Sequence, residues 1–333
     1  MELSKVGQPL TAWELLDLVR EDLQLVEREI QLQSVASVDA ITAIGRYLHA
    51  SGGKRLRPAL LLLASKLFGN GSESAIRLAA VVEMIHAATL VHDDVIDVAE
   101  TRRGRPSTNV LWGNHISVLA GDWLYMQAFQ VALRERNFHV LDVLIGLTQM
   151  MVEGELVQLG RIGSVEVREA DYMDLVDRKT ASLFSACARL GAVTGGADEA
   201  DEARLGEYAW NLGMAFQLVD DVLDFTADES VLGKPVGSDL REGKVTLPLI
   251  YALENASPEE RSQVEEILRD GSYDRVPFNL ILEFIERRRS IMRTMERAEA
   301  FTAKSREIIR GFPESPYQRA LFALTELVTD RDH

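Results

Sequence analysis

The chain has a single cysteine, Cys187, in 333 residues. That excludes an internal disulfide and a cysteine-built metal centre, and leaves Cys187 as small core filler. Positive charge is also scarce. Lys and Arg number 36 against 52 Asp and Glu, a net charge of −16 at pH 7. Such a surface excludes nucleic acid as a general partner and repels anionic membranes on average, so that only a local basic patch could act against the trend. No uncharged apolar run of 18 residues occurs. The best candidate is interrupted by Glu83 and His86, so no transmembrane segment is expected. Residues 1–10 lack the apolar core of a secretion signal, which points to a cytoplasmic protein. Alternating strand patterns and short repeats are missing as well.

What the chain does have is apolar residues at helical spacing, at 47% hydrophobic composition. This is enough for one large core. Thr11 and Glu14 form a capping-box pattern ahead of Trp13, Leu16, Val19, Leu23 and Val26. Further helices are expected at 58–68, 75–98, 115–134, 138–160, 168–191, 198–225, 247–253, 259–268, 277–309 and 316–328, with a polar loop over 226–243. The fold class is all-α, a single domain over 1–333, of which 1–40 forms an N-terminal helical segment.

The pattern His92-Asp93-Asp94-Val95-Ile96-Asp97 sits inside the 75–98 helix. Asp93 and Asp97 are four apart, so they share a face and repel each other, the more so when buried. A cation between them would relieve this. Oxygen-only ligands favour Mg²⁺, or Mn²⁺, over zinc. An ordinary solvated acidic face is the alternative for one such pair. A second cluster, Asp220, Asp221 and Asp224, repeats the spacing on another apolar helix. Two clusters facing each other would hold several Mg²⁺ ions, with Asp93, Asp94, Asp97, Asp220, Asp221 and Asp224 as the metal set, and a diphosphate between them.

The few cations gather beside these clusters. Gly52-Gly53-Lys54-Arg55-Leu56-Arg57-Pro58 places them on a glycine-freed backbone at a helix start, where an anion is welcome. It is not a Walker loop, since no Ser or Thr follows the lysine. Arg102 and Arg103 lie five and six residues past Asp97 and could fold back over it, or simply favour the helix C-terminus. Lys179 and Thr180 are helical, Gln217 lies one turn before Asp220 on its face, and Lys234 and Lys244 flank a glycine loop. Each is weak alone; together they suit diphosphates bound by Lys, Arg and Mg²⁺. The pair His92-Asp93 also occurs in metal phosphohydrolases, but His49, His86, His115, His139 and His333 offer no second ligand pairing.

On these motifs, with Arg102-Arg103-Gly104, Gly213 to Asp224, Gly233-Lys234 and Gly243 to Pro248, the sequence resembles the trans-type polyprenyl diphosphate synthases over about residues 52–330, and most closely the long-chain, octaprenyl type. The resemblance implies an antiparallel helical bundle around a deep cavity, usually homodimeric. It implies three Mg²⁺ ions with substrate, held by Asp93 and Asp97 from one side, with Asp94 in support, and by Asp220 from the other, completed by Asp221 and Asp224. It assigns Arg102, Lys179, Thr180, Gln217, Lys234 and Lys244 to the allylic diphosphate, and Lys54, Arg57, His86 and Arg103 to isopentenyl diphosphate. It implies ionisation of the allylic diphosphate, head-to-tail condensation, and transient membrane contact for product release. Catalysis would rest on Asp93, Asp97, Asp220, Arg102, Lys179 and Lys234. A terpene cyclase would not need the second diphosphate site, and a non-catalytic partner subunit would not need both aspartate clusters.

The growing tail is expected to run back along the 75–98 helix past Thr89, Ala88 and Ile85. Ala88 is small, where the family's short-chain members carry a bulky aromatic. Leu144, Leu147 and Met151 are the expected floor. At 1.5 Å per residue the helix lines roughly 36 Å, which gives a product of about C35–C50, centred on C40, rather than about C15–C20.

Overall fold

Helix follows helix because apolar residues recur at helical spacing and polar side chains mark the starts. The structure, a computed structural model, describes residues 12–50, 52–53, 55–69, 71–227 and 236–329. Thr11 lies outside them. Helices α1 (Ala12–Asp17) and α2 (Arg20–Gln33) are separated by a turn, where the sequence pattern suggested one helix. Then come α3 (Asp39–Ala50), α4 (Leu56–Phe68) and α5 (Glu73–Ile96), the last opened by Ser72, whose Oγ accepts the Ala75 N–H at 3.1 Å.

The basic loop after α5 is a small hairpin that the sequence reading missed. Thr101–Arg102 pairs with Arg105–Pro106, and both turn residues have positive φ, Arg103 at 53° and Gly104 at 71°. Positive φ at both central positions is what a type I′ hairpin turn requires, and glycine meets it without strain. Two-residue strands leave no period-2 signal to detect. A one-turn helix, α6 (Thr108–Trp112), follows. Next are α7 (Asn114–Leu133) and α8 (Phe138–Leu159), the second capped by the Asn137 side chain.

The expected helix over 168–191 is two helices, α9 (Glu169–Val176) and α10 (Ser182–Gly195), joined by a π turn, Asp177–Ala181. Helix α11 (Glu199–Thr226) starts at an Asp198 cap and carries the second aspartate cluster at its C-terminal end. The rest comprises α12 (Ser238–Arg241), α13 (Leu247–Leu253), α14 (Pro258–Asp270), α15 (Phe278–Arg287), α16 (Ser290–Arg310) and α17 (Pro316–Thr329). The expected 277–309 helix breaks where Arg289 takes a φ of 54°.

Helices α4, α5, α7, α10, α11 and α16 pack pairwise into the centre of the bundle. Leu60, Leu61, Leu62, Leu63 and Ala64 are all buried, so α4 is enclosed on every side. Helix α5 is also long and apolar enough, by length and composition, to cross a membrane, contrary to the reading that Glu83 and His86 disqualify it. Of its apolar window 56% is buried in the bundle, which accounts for its composition.

Candidate active site

A cavity of about 640 Å³ opens between the C-terminal ends of α5 and α11 and is walled by α7, α8 and α10. Asp93 from α5 and Asp220 from α11 both line it, so the two aspartate helices do meet across one space. Burial pushes the Asp93 carboxyl up to about 6; Lys179 opposes this, while Glu155 and Asp97 add to it. The other four aspartates of the expected metal set do not line this cavity. Asp94 is buried and accepts Arg102 Nε–H at 2.6 Å. Asp97 ends α5 and pairs with Lys244 Nζ at 3.0 Å. Asp221 accepts from Tyr172 Oη–H at 2.6 Å and Gln217 Nε2–H at 2.8 Å, and burial raises its pKa. Asp224 is fully buried and accepts from Ser238 Oγ–H and the Asp239 N–H, while its own carbonyl takes the Gly237 N–H. It anchors the chain beyond α11 and is not directed at the cavity.

The π turn explains how Lys179 and Thr180 reach the site together. Helix α8 comes so close that a Cβ on Gly154 would lie 2.8 Å from Arg178 Cβ and 3.2 Å from Lys179 Cγ. Lys179 Nζ then meets Glu155 at 2.5 Å and donates to Gln158 at 3.1 Å. Thr180 donates to Gln217 Oε1 at 2.8 Å. Lys179, Thr180 and Gln217 form a partition between the main cavity and a side cavity of about 210 Å³, which Asp221, Tyr172, Asp239 and Lys244 line. Burial alone would lower the Lys244 pKa, but Asp97 and Glu242 hold it above its ordinary value.

On the opposite flank lies a third space of about 50 Å³, which shares His86 and Arg102 with the main cavity. Gly52, Arg55, Glu83 and Arg103 also line it. Arg103 donates Nη1–H to the Gly52 carbonyl, so the hairpin closes over the glycine turn. Arg57 is half-buried, its Nη1 is 3.2 Å from His86 Nε2, its guanidinium lies over the Phe184 ring, and its buried Nε has no hydrogen-bond partner. Burial, then Arg57, Arg103 and Arg102, push the His86 imidazole well below its ordinary pKa, so it is neutral and adds no positive charge beside the arginines. Lys54 and Lys234 lie outside the described residues.

Of the expected tunnel residues, Thr89 and Met151 line the main cavity. Ala88, Ile85, Leu144 and Leu147 are buried in the core and are not on its wall. At 3.6 residues per turn Ala88 sits about 140° around α5 from Asp93, and Thr89 only about 40°. Tyr125 and Leu183 complete the lower lining. Sequence reasoning missed Tyr125, Glu155 and Gln158. The last two, three apart on an apolar helix with Gly154 beside them, were a legible signal of a polar inward face.

No cluster of three or more acidic, histidine or cysteine side chains able to hold a metal occurs among the described residues. The donor set still fits a hard cation. Mg²⁺ is usually bound by one or two carboxylates with substrate phosphates and water, rather than by an all-protein cage. Asp93 and Asp220 facing one cavity supply that minimum.

Comparison with known proteins agrees with this geometry. A family profile described as "Polyprenyl synthetase" matches residues 38–283. The octaprenyl diphosphate synthase of Haemophilus influenzae is 38% identical, over 96% of this chain and 97% of its own. A polyprenyl synthase from Caulobacter crescentus, crystallised with calcium and isoprenyl diphosphate, superposes with a TM-score of 0.92 at 34% identity, covering 98% of this chain and all of that one. A decaprenyl diphosphate synthase from Rhodobacter capsulatus gives 0.90 at 34% identity over 97% of this chain and all of its own. The chain belongs to the polyprenyl synthetase family, prenyltransferases that lengthen trans prenyl chains from allylic and isopentenyl diphosphates with a divalent metal.

Proposed function

We propose that this enzyme extends an allylic diphosphate, of farnesyl or geranylgeranyl type, by repeated addition of isopentenyl diphosphate to a long all-trans product. One observation carries the two-substrate reading. Arg57, with an orphaned buried Nε and a neutral His86 beside it, lies on one flank of a cavity whose other flank carries Asp93, Asp220 and Lys179. A terpene cyclase would have no use for the first flank, and a non-catalytic subunit none for the second.

Asp93 and Asp220 would hold Mg²⁺ together with the diphosphate oxygens; Asp97, Asp94, Asp221 and Asp224 act by fixing Lys244, Arg102, Gln217 and the chain after α11. When bound, the metal supplies charge neutralisation that makes diphosphate a better leaving group. Lys179, Arg102, Thr180 and Gln217 orient the allylic diphosphate. Arg57 and Arg103 hold isopentenyl diphosphate so that its double bond meets the reacting carbon. Leu90, Met151 and Leu183 keep water away from the cationic carbon. Burial holds the Tyr125 phenol up at about 12, so it stays protonated and is no base, and released diphosphate is the proton acceptor.

The relatives support a product of about C35–C50, centred on C40, which is also the scale of the α5 length. A homodimer in the cytoplasm, each chain a single domain, completes the reading. Leu119 and Met126 on α7, seven apart, are 64% and 66% exposed, and Phe138 and Leu156 on α8 are 82% and 64% exposed. Leu156 and Val152 also line the main cavity, so a second copy seated there would close its outer wall. The deciding experiment incubates the protein with labelled isopentenyl diphosphate, farnesyl diphosphate and Mg²⁺ and sizes the products. Long trans chains are expected; no product, or a cyclic hydrocarbon, refutes the reading. Sedimentation showing a stable 37.1 kDa monomer at micromolar concentration refutes the dimer.

A further inference from the structure

Arg55 and Arg103 line the small flanking space and Arg57 lines the main cavity beside it, yet their environments differ. Arg57 has an unpartnered Nε. Arg55 is fully engaged. Its Nε and Nη2 donate to the two carboxylate oxygens of Glu27, the second at 3.2 Å, and its Nη1 donates to Glu83 at 2.5 Å. The fork-on-carboxylate geometry is the strongest form such a pair takes. All three side chains are largely buried, at 16% exposure for Arg55, 12% for Glu83 and 29% for Glu27. Arg55 also holds a φ of 49°, uncommon for a residue with a side chain, at the cap of α4 two positions before Arg57. His49 Nδ1, on α3, lies 3.0 Å from the same Glu27 carboxylate.

Glu27 lies on α2, ahead of the segment that the family profile matches. Glu83 lies one turn before His86 on α5. Arg55 therefore joins an N-terminal helix to the helix that carries the aspartates, across the turn that presents Arg57. Without Glu27, Glu83 would be the sole carboxylate bonded to Arg55, and the guanidinium would lose its tie to α2.

We infer that Glu27 is a positioning residue for isopentenyl diphosphate: by clamping Arg55 between α2 and α5 it fixes the backbone from which Arg57 reaches the anion. This rests on the reading that Arg57 binds isopentenyl diphosphate. The test uses the full chain carrying Glu27→Gln, with Arg57→Ala in parallel, and melting curves for both. Glu27→Gln should raise KM for isopentenyl diphosphate about tenfold, the scale of one partly buried charged hydrogen bond. Its kcat and its KM for the allylic substrate should stay within about twofold, and Arg55→Lys, which keeps the charge but loses the fork, should fall between. An unchanged isopentenyl KM in Glu27→Gln, or equal rises for both substrates, overturns the inference. If Arg57→Ala raises that KM while Glu27→Gln does not, the substrate reading stands and only the clamp falls. If neither does, both fall.

Discussion

Gly154→Ala isolates the contact that places Lys179. The new Cβ would sit 2.8 Å from Arg178 Cβ and 3.2 Å from Lys179 Cγ, both rooted in the π turn rather than at the ends of flexible chains. Something must move by several tenths of an ångström. Overpacking of this kind costs about 1–3 kcal/mol. Replacing glycine by alanine inside a helix returns about 1 kcal/mol, so the net loss of stability is small, roughly 0–2 kcal/mol. The functional effect should be larger. A displacement approaching 1 Å in a positioning group costs about 10²-fold, and Lys179 would lose its place between Glu155, Gln158 and the cavity. Steady-state kinetics should show kcat/KM for the allylic diphosphate down by about 10- to 100-fold, with KM for isopentenyl diphosphate little changed. Gly146→Ala is the control: it lies on the same helix with nothing within 4 Å of the added carbon, so it should keep full activity and melt slightly higher. Retention of allylic kcat/KM within about twofold in a well-folded Gly154→Ala enzyme would show that the α8 contact does not position Lys179.

Asp93→Ala and Asp220→Ala should each lower kcat by at least about 10²-fold without loss of helical structure; near-normal turnover with Mg²⁺ would remove the metal assignment. His86 should remain neutral far below pH 6.5, read from its ring resonances in a pH titration, and diphosphate binding should raise its pKa. Since the folded pKa lies under the unfolded one, the unfolded chain takes the proton first, so this group's contribution is complete above about 6.5 and is lost as pH falls below it; titration at 6.5 or higher would contradict the buried cationic setting. Thr89→Phe should shorten the product, because it enters the cavity, whereas Ala88→Phe should mainly destabilise the protein by overpacking, by about 1–3 kcal/mol; product sizing that shows the reverse would put the tunnel on the other face of α5.

The helices were legible because each buries an apolar stripe, and that requirement writes a 3.6-residue period over ten or more residues. Features shorter than about two turns left no such trace. The Arg103-Gly104 turn is set by two positive φ angles, and α6 is five residues long. The π turn is one extra residue in a continuous apolar pattern, so α9 and α10 read as one helix. The break at Arg289 was hidden for the opposite reason. Neighbouring arginines, which are good helix formers, mask a backbone reversal that no glycine or proline announces.

The site was legible where chemistry demands particular residue types, and obscure where only shape matters. Two aspartate clusters on apolar helices are costly unless something offsets them, so their presence points to a cation before any coordinate is known. The same cost can also be met from within the protein. A buried carboxylate can be satisfied by protein donors, and Arg102, Lys244, Tyr172 and Ser238 do so for Asp94, Asp97, Asp221 and Asp224. Sequence spacing gives the number of acids but not which donors reach each one. For the prenyl tail there is no charge to balance at all. Its wall is whichever face of α5 the neighbouring helices leave uncovered, and that is a property of α7, α8 and α10 as much as of α5. Ala88 looked suitable because it is small, yet small residues are also what lets two helices approach closely, and Ala88 is fully buried while Thr89, one position on, faces the space. The polar half of this site is therefore specified residue by residue, and the apolar half by packing among four helices.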